Sequence, residues 1–276
     1  MSRRIDAHHH FWRIERGDYH WMPASGPLRE DYLPDRMRPL LERHLIDATI
    51  LVQAAPTVDE TMFLLELADH PSSRVAGVVA WAPLDSPRAR NDLERYAEDR
   101  RVVSLRPMLQ DLPDASWITR ATVIDNLKIA SGLGLRFDVL SHPRHLSPVS
   151  EALRRVPDLP IVIDHLSKPS YGPSISEEWR AGMTELARRE SACCKLSGLV
   201  TEVGRRWKPD DFRAHVDYVL ELFGPHRTMF GSDWPVCLTA ASYDQVVSLA
   251  EELTSGLTDD EASRLWGGTA ERFYGL

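Results

Sequence analysis

Short apolar and β-branched runs recur along the chain, separated by stretches whose apolar positions fall three and four residues apart. The runs are RIDAHH, ATILVQA, VAGVVAW, VVSLRPM, LRFDVL, IVIDHL, CCKLSG and TMFGSD. Several are continuously apolar at their centres, as parallel strands covered on both faces are, rather than alternating like half-exposed strands. Between them, MRPLLERHLI puts Met37, Leu40, Leu41, His44 and Leu45 on one stripe. FRAHVDYVLELFG does the same for Phe212, Val216, Val219, Leu220 and Phe223. Thr57 with Glu60, and Thr258 with Glu261, have the spacing of capping boxes that open two helices. Strands alternating with helices in this way predict a (β/α)8 barrel built as one domain over residues 1–276. The alternative is an open doubly wound sheet, which normally carries a Gly-rich turn after its first strand, and RIDAHHHFW contains no glycine.

One stretch breaks the alternation. Residues 11–34, FWRIERGDYHWMPASGPLREDYLP, are rich in aromatics and prolines and show no helical or strand period. A loop of that length after strand one is uncommon unless it has a function, and in a barrel it covers the active-site mouth. Its Trp12, Tyr19, His20 and Trp21 are candidates for stacking on a substrate ring, with packing of the loop itself as the alternative.

Composition narrows the class. Hydrophobic residues make up 43% and charged residues 27%, ordinary for a soluble globular chain. A formal charge of −8 with no Lys/Arg stripe argues against a nucleic-acid partner. No segment approaches the ~20 apolar residues of a spanning helix, so no membrane partner is expected and a cytoplasmic protein is. Cys193, Cys194 and Cys237 are too sparse for a disulfide framework and read as reduced core thiols. A small molecule is the expected partner, and the sequence leaves the oligomeric state open.

The triple histidine His8, His9 and His10 continues a strand pattern into FW, which argues against a purification tag. Side chains alternate along a strand, so Asp6, His8 and His10 are expected on one face and Ala7 and His9 on the other. At the C-terminal end of a first barrel strand that face is the interior, where barrel enzymes keep their chemistry. Two imidazoles so placed can ligate one divalent metal or donate jointly to one oxygen. His9 is read as structural. His165 is the last residue but one of IVIDHL and Asp233 ends TMFGSD, so both fall at strand ends. A carboxylate there, beside imidazoles or a metal, stays ionised and can take a proton from water. Gln53, Trp81, Arg106, Gln110, Lys168 and Trp234 lie at other strand ends or just beyond and are candidate substrate contacts. Arg106 and Lys168 would suit an anionic substrate or product.

IDAHHHFW, LRPML, GLRFDVL, IVIDHLSKP, KLSGL, FGSDWPV and the closing WGGTAERFYGL together resemble the lactonase branch of the amidohydrolase superfamily. This branch includes fuconolactonases, rhamnonolactonases and pyrone-dicarboxylate lactonases. The motifs occur in order from strand one to the C-terminus. The resemblance implies a (β/α)8 barrel that hydrolyses a cyclic ester such as a sugar lactone. It implies that His8, His10 and His165 surround the lactone carbonyl, directly or as ligands of one Zn2+ with Asp233, while Asp233 activates water. Arg106 stands where two-metal members of the superfamily have a carboxylated lysine or glutamate, and Asp138 where many have a histidine ligand. Both departures argue against a two-metal site, and in this branch the need for a metal varies. A metal-dependent nonoxidative decarboxylase from a sister branch, and a silent barrel that binds a sugar acid, are the rival readings.

Overall fold

The centres of all these runs pair as strands in a computed structural model that describes residues 3–276. The strands are β1 (Ile5–His9), β2 (Ala48–Val52), β3 (Val75–Ala80), β4 (Val102–Leu105), β5 (Arg136–Val139), β6 (Ile161–Ile163), β7 (Ala192–Leu196) and β8 (Thr228–Phe230). They form one parallel eight-stranded sheet in sequence order. Just past β8, the Asp233 amide donates to the His8 carbonyl (2.8 Å) and the His10 amide to the Trp234 carbonyl (2.7 Å), which closes the sheet on itself. The result is the (β/α)8 barrel rather than the open sheet, and none of the helices among the described residues is long and apolar enough to cross a membrane.

Every run except RIDAHH, which ends with its strand at His9, continues past the C-terminal end of its strand. In IVIDHL only Ile161–Ile163 is strand, and in TMFGSD only Thr228–Phe230. The polar tails therefore belong to the barrel mouth. Leu51, Ile161, Ile163, Phe137 and Phe230 pack outward against the helices, while Ile50, Val52, Val162, Cys193 and Met229 form a separate apolar cluster inside. Phe273 and Tyr274 of the C-terminal helix Thr269–Tyr274 join that inner cluster and plug the barrel's lower end. Cys193, Cys194 and Cys237 are buried and unbridged.

Three local expectations need correction. Leu45 is not on the core stripe of its helix; it follows the helix Pro34–Arg43 at φ 54° and is 72% exposed, while Ile46 turns inward. Glu60 completes only half of its box. Its amide donates to the Thr57 hydroxyl, but its buried carboxylate accepts from the amides of Ala54 and Ala55 in the turn after β2. That turn has buried N–H groups to satisfy, and Glu60 is the acceptor within reach. The third concerns β1, where three positions from Asp6 to His9 span two on β2, a bulge with one extra residue.

Candidate active site

The bulge decides which side chains of β1 meet. Asp6 does not share a face with His8. Its carboxylate accepts from the Tyr243 hydroxyl (3.1 Å), on the helix Tyr243–Leu253, and from the Ser232 amide (2.8 Å). Ile5 and Ala7 belong to the inner apolar cluster, and the extra residue then brings His8 to the interior as well. His9 faces away, its Nε2 lying 2.9 Å from the Thr49 hydroxyl.

His8, His10 and His165 converge on one oxygen, Asp233 Oδ1. Their Nε2 atoms lie 3.8, 3.3 and 3.9 Å from it, and all four residues are buried. The turns that present these groups are strained. His165, Leu166, Ser167 and Lys168 all have left-handed φ values, from 48° to 57°, a conformation that costs L-residues roughly 1–2 kcal/mol each. The turn is held by the Trp179 indole donating to the Leu166 carbonyl (2.6 Å) and by the paired hydroxyls of Ser141 and Ser167 (2.8 Å). Asp233, at φ 56°, is also left-handed. Gly198 faces the His165 ring so closely that a Cβ there would lie 2.5 Å from Nδ1.

Burial lowers the pKa of all three imidazoles, that of His165 to about 4, so they are neutral at neutral pH. Burial works the other way on Asp233, yet the neighbouring His165, His10 and His8 outweigh it and hold the carboxyl well below the usual range. The hydrogen bonds fix one tautomer. His10 Nδ1 is 2.7 Å from the Val52 carbonyl, which can only accept, so Nδ1 carries the proton and neutral Nε2 turns a lone pair toward Asp233. A lone pair facing a carboxylate at 3.3 Å calls for positive charge or a donated proton between them. His8 Nε2 is buried with no hydrogen-bond partner at all. Ligand atoms of His8, His165 and Asp233 lie within 4.8 Å of one another, a two-nitrogen, one-oxygen set that suits a divalent cation, with His10 on its flank.

Beneath this set lies a group that the sequence reading missed. Lys195 of β7 is wholly buried, its Nζ 2.5 Å from Asp138 Oδ2, 3.0 Å from Asp164 Oδ1 and 3.2 Å from His8 Nδ1. Asp138 also accepts from the hydroxyls of Ser104 (2.6 Å) and Tyr274 (2.9 Å), and Asp164 lies 3.4 Å from Arg106 and 3.3 Å from His8 Nδ1. Burial pushes the Asp138 carboxyl up, whereas Asp164, although buried, is held well down by Lys195 and His8. His8 is thus oriented from behind by an ammonium and a carboxylate. A lysine inside an otherwise apolar strand run is the one sequence signal that pointed here.

The mouth itself is a cavity of about 150 Å³, lined by His10, His165 and Asp233 together with Arg106, Lys168, Gln110, Trp21 and Met108. Among the expected substrate contacts, Arg106, Lys168 and Gln110 therefore face it. Lys168 also pairs with Glu202 at 3.1 Å. Gln53 does not line it. It is fully buried, and its side-chain amide donates to the Arg106 carbonyl (2.5 Å) while Arg106 donates to the Gln53 carbonyl, so Gln53 holds Arg106 in place. Trp234 is buried edge-on to Tyr32 (5.1 Å between rings) and Phe11, away from the cavity. Trp81 lies in an adjoining cavity of about 520 Å³ with Trp117, His20 and the shared residues Trp21 and Met108. In the long first loop, Trp12, Tyr19 and Tyr32 are core residues, and of its expected stacking groups His20 and Trp21 line the mouth or the cavity beside it.

The fold and mouth define a parallel barrel with a histidine–carboxylate centre at the C-terminal ends of its strands. The chain belongs to the amidohydrolase family, whose model matches residues 5–276. Two relatives named L-fucono-1,5-lactonase, from Burkholderia multivorans and Burkholderia ambifaria, are 42% and 39% identical, each alignment covering 99% of this chain and 96% of the relative. An amidohydrolase of Burkholderia multivorans solved with bound zinc superposes with a TM-score of 0.91 at 42% identity, covering the whole of both chains. A dihydroxybenzoic acid decarboxylase from a Polaromonas species shares the fold, with a TM-score of 0.72, at only 16% identity over 100% of this chain and 98% of that one.

Proposed function

We propose that this protein is a hydrolase that opens a sugar lactone, of the L-fuconolactone type, to the sugar acid. The observation that carries the reading is the convergence of three neutral imidazoles on one ionised carboxylate at the barrel mouth. The relatives named as lactonases supply the substrate class. The decarboxylase likeness extends only to the fold, and a silent barrel has no use for a strained turn that aims His165 at a buried carboxylate.

In the proposed chemistry Asp233 accepts a proton from a water molecule as the water oxygen adds to the lactone carbonyl carbon. The carbonyl oxygen gains charge, and His8 and His165, whose Nδ1 atoms can accept from Lys195 and Ser197 and so leave the proton on Nε2, can donate to it where His10 Nε2 cannot. The ring C–O bond then breaks, and Asp233 returns its proton to the departing alkoxide, which leaves a hydroxy acid. Arg106 and Lys168 sit on the cavity wall where the new carboxylate forms. His8, His165 and Asp233 are the residues that would hold one zinc ion. Such a cation supplies Lewis acidity toward the ester carbonyl.

A pH-indicator screen against aldonolactones of varied stereochemistry tests the function. Acid release should be fastest with L-fuconolactone and its close stereoisomers, and carbon dioxide release from aromatic acids with no lactone opening would refute the reading. Elemental analysis combined with assay after chelation separates the presence of a metal from the need for one.

A further inference from the structure

The 150 Å³ mouth is small beside the roughly 300–1,000 Å³ typical of ligand pockets, but it does not end at its own walls. Trp21 and Met108 border both it and the 520 Å³ cavity, so an occupant of the larger space can belong to the molecule whose lactone sits in the mouth. We propose that the larger cavity is a second subsite that takes a neutral sugar ring attached to the lactone, so that the protein opens glycosylated sugar lactones as well as simple ones.

This rests on the lactonase reading and names its substrate class further. The walls are apolar, with the indoles of Trp21, Trp81 and Trp117 exposed to the cavity. Two of the rings are fixed. Trp21 Nε1 donates to the Ala54 carbonyl (2.6 Å) and Trp117 Nε1 to Asp85 (3.1 Å). The polar groups are three carboxylates and the exposed His20 at the rim. Asp85 and Asp111 are exposed, and Asp18 is half-buried and already paired with Arg16 at 2.7 Å. Indole faces favour an occupant with an apolar face, and carboxylates, which only accept, favour one that donates hydrogen bonds. A pyranose ring has both, with its C–H face and its hydroxyl edge. An aryl or alkyl group would dehydrate the rim with no donor to offer. A uronic acid would meet like charge.

The test compares L-fuconolactone with its O-glucosyl and O-benzyl derivatives, one at each free hydroxyl, on wild type, Leu112→Trp and Asp111→Ala. Leu112 lines the larger cavity only, and a tryptophan there fills it. At least one glucosyl derivative should have a KM about tenfold below that of the parent. In both variants this advantage should vanish while kcat/KM for the parent stays within twofold. Quenching of tryptophan fluorescence by the glucosylated sugar acid, lost in Leu112→Trp, reads the subsite without turnover. Failure of L-fuconolactone itself to be hydrolysed would count against the lactonase reading. The subsite is refuted if no glucosyl derivative binds better than its parent, if a benzyl derivative outperforms all of them, or if the variants depress parent and derivative alike.

Discussion

Lys195→Met exchanges a wholly buried ammonium for an apolar side chain of similar length and should destabilise the barrel in a pH-dependent way. In the wild type one cation serves Asp138 at 2.5 Å and Asp164 at 3.0 Å. Without it Asp164 keeps Arg106, at 3.4 Å, and Asp138 keeps only the hydroxyls of Ser104 and Tyr274. Removing one partner of a buried ion pair typically costs about 3–5 kcal/mol, a large fraction of the ~5–15 kcal/mol that holds a domain together. Asp138 can escape part of that cost by taking a proton, because burial already raises its pKa. A raised folded-state pKa means the folded variant binds a proton that the unfolded chain has released, so the deficit should shrink as pH falls and grow as it rises. Urea unfolding of wild type and variant at pH 5 and pH 8 measures both effects. Adding Asp138→Asn should recover much of the loss at pH 8 and little at pH 5. A loss below about 1 kcal/mol at both pH values, or one that does not change with pH, would refute the argument that Lys195 is the charge that makes this buried cluster tolerable.

Gly198→Ala places a Cβ 2.5 Å from His165 Nδ1 at a backbone φ of 66°, so stability should fall by about 1–3 kcal/mol and kcat/KM by tenfold or more. Urea melts and steady-state kinetics check the two effects, and an unchanged kcat/KM would mean that the position of His165 is not critical. The acid limb of kcat/KM should lie near pH 4, not at the ordinary imidazole value of 6.5, because His165 gains a proton only there. A limb near 6.5 would overturn the neutral-imidazole assignment. Burial raises Glu60 from 4.5 to about 8, so the stability it contributes is full below pH 4.5 and lost as pH rises through 8. In thermal melts between pH 5 and pH 9, Glu60→Gln should flatten that decline, and an unchanged slope would assign it to other groups.

The sequence made the barrel legible because strands covered on both faces must be apolar throughout, and eight such runs with intervening helical stripes have few other arrangements. It made the mouth legible for a related reason. His165 and Asp233 follow apolar runs that end abruptly, and a polar residue directly after a buried strand lies at an end of the barrel. What it concealed depends on distant pairings or on the residue count within a strand. Lys195 gains its meaning from Asp138, 57 residues away, and Asp164, and these meet only when the sheet closes. A period-of-two count put Asp6 beside His8, but one inserted residue reverses the parity between them. The same insertion allows His8 and His10 to face the mouth while Ala7 packs inside below them, so the bulge is a condition for the site rather than an irregularity near it.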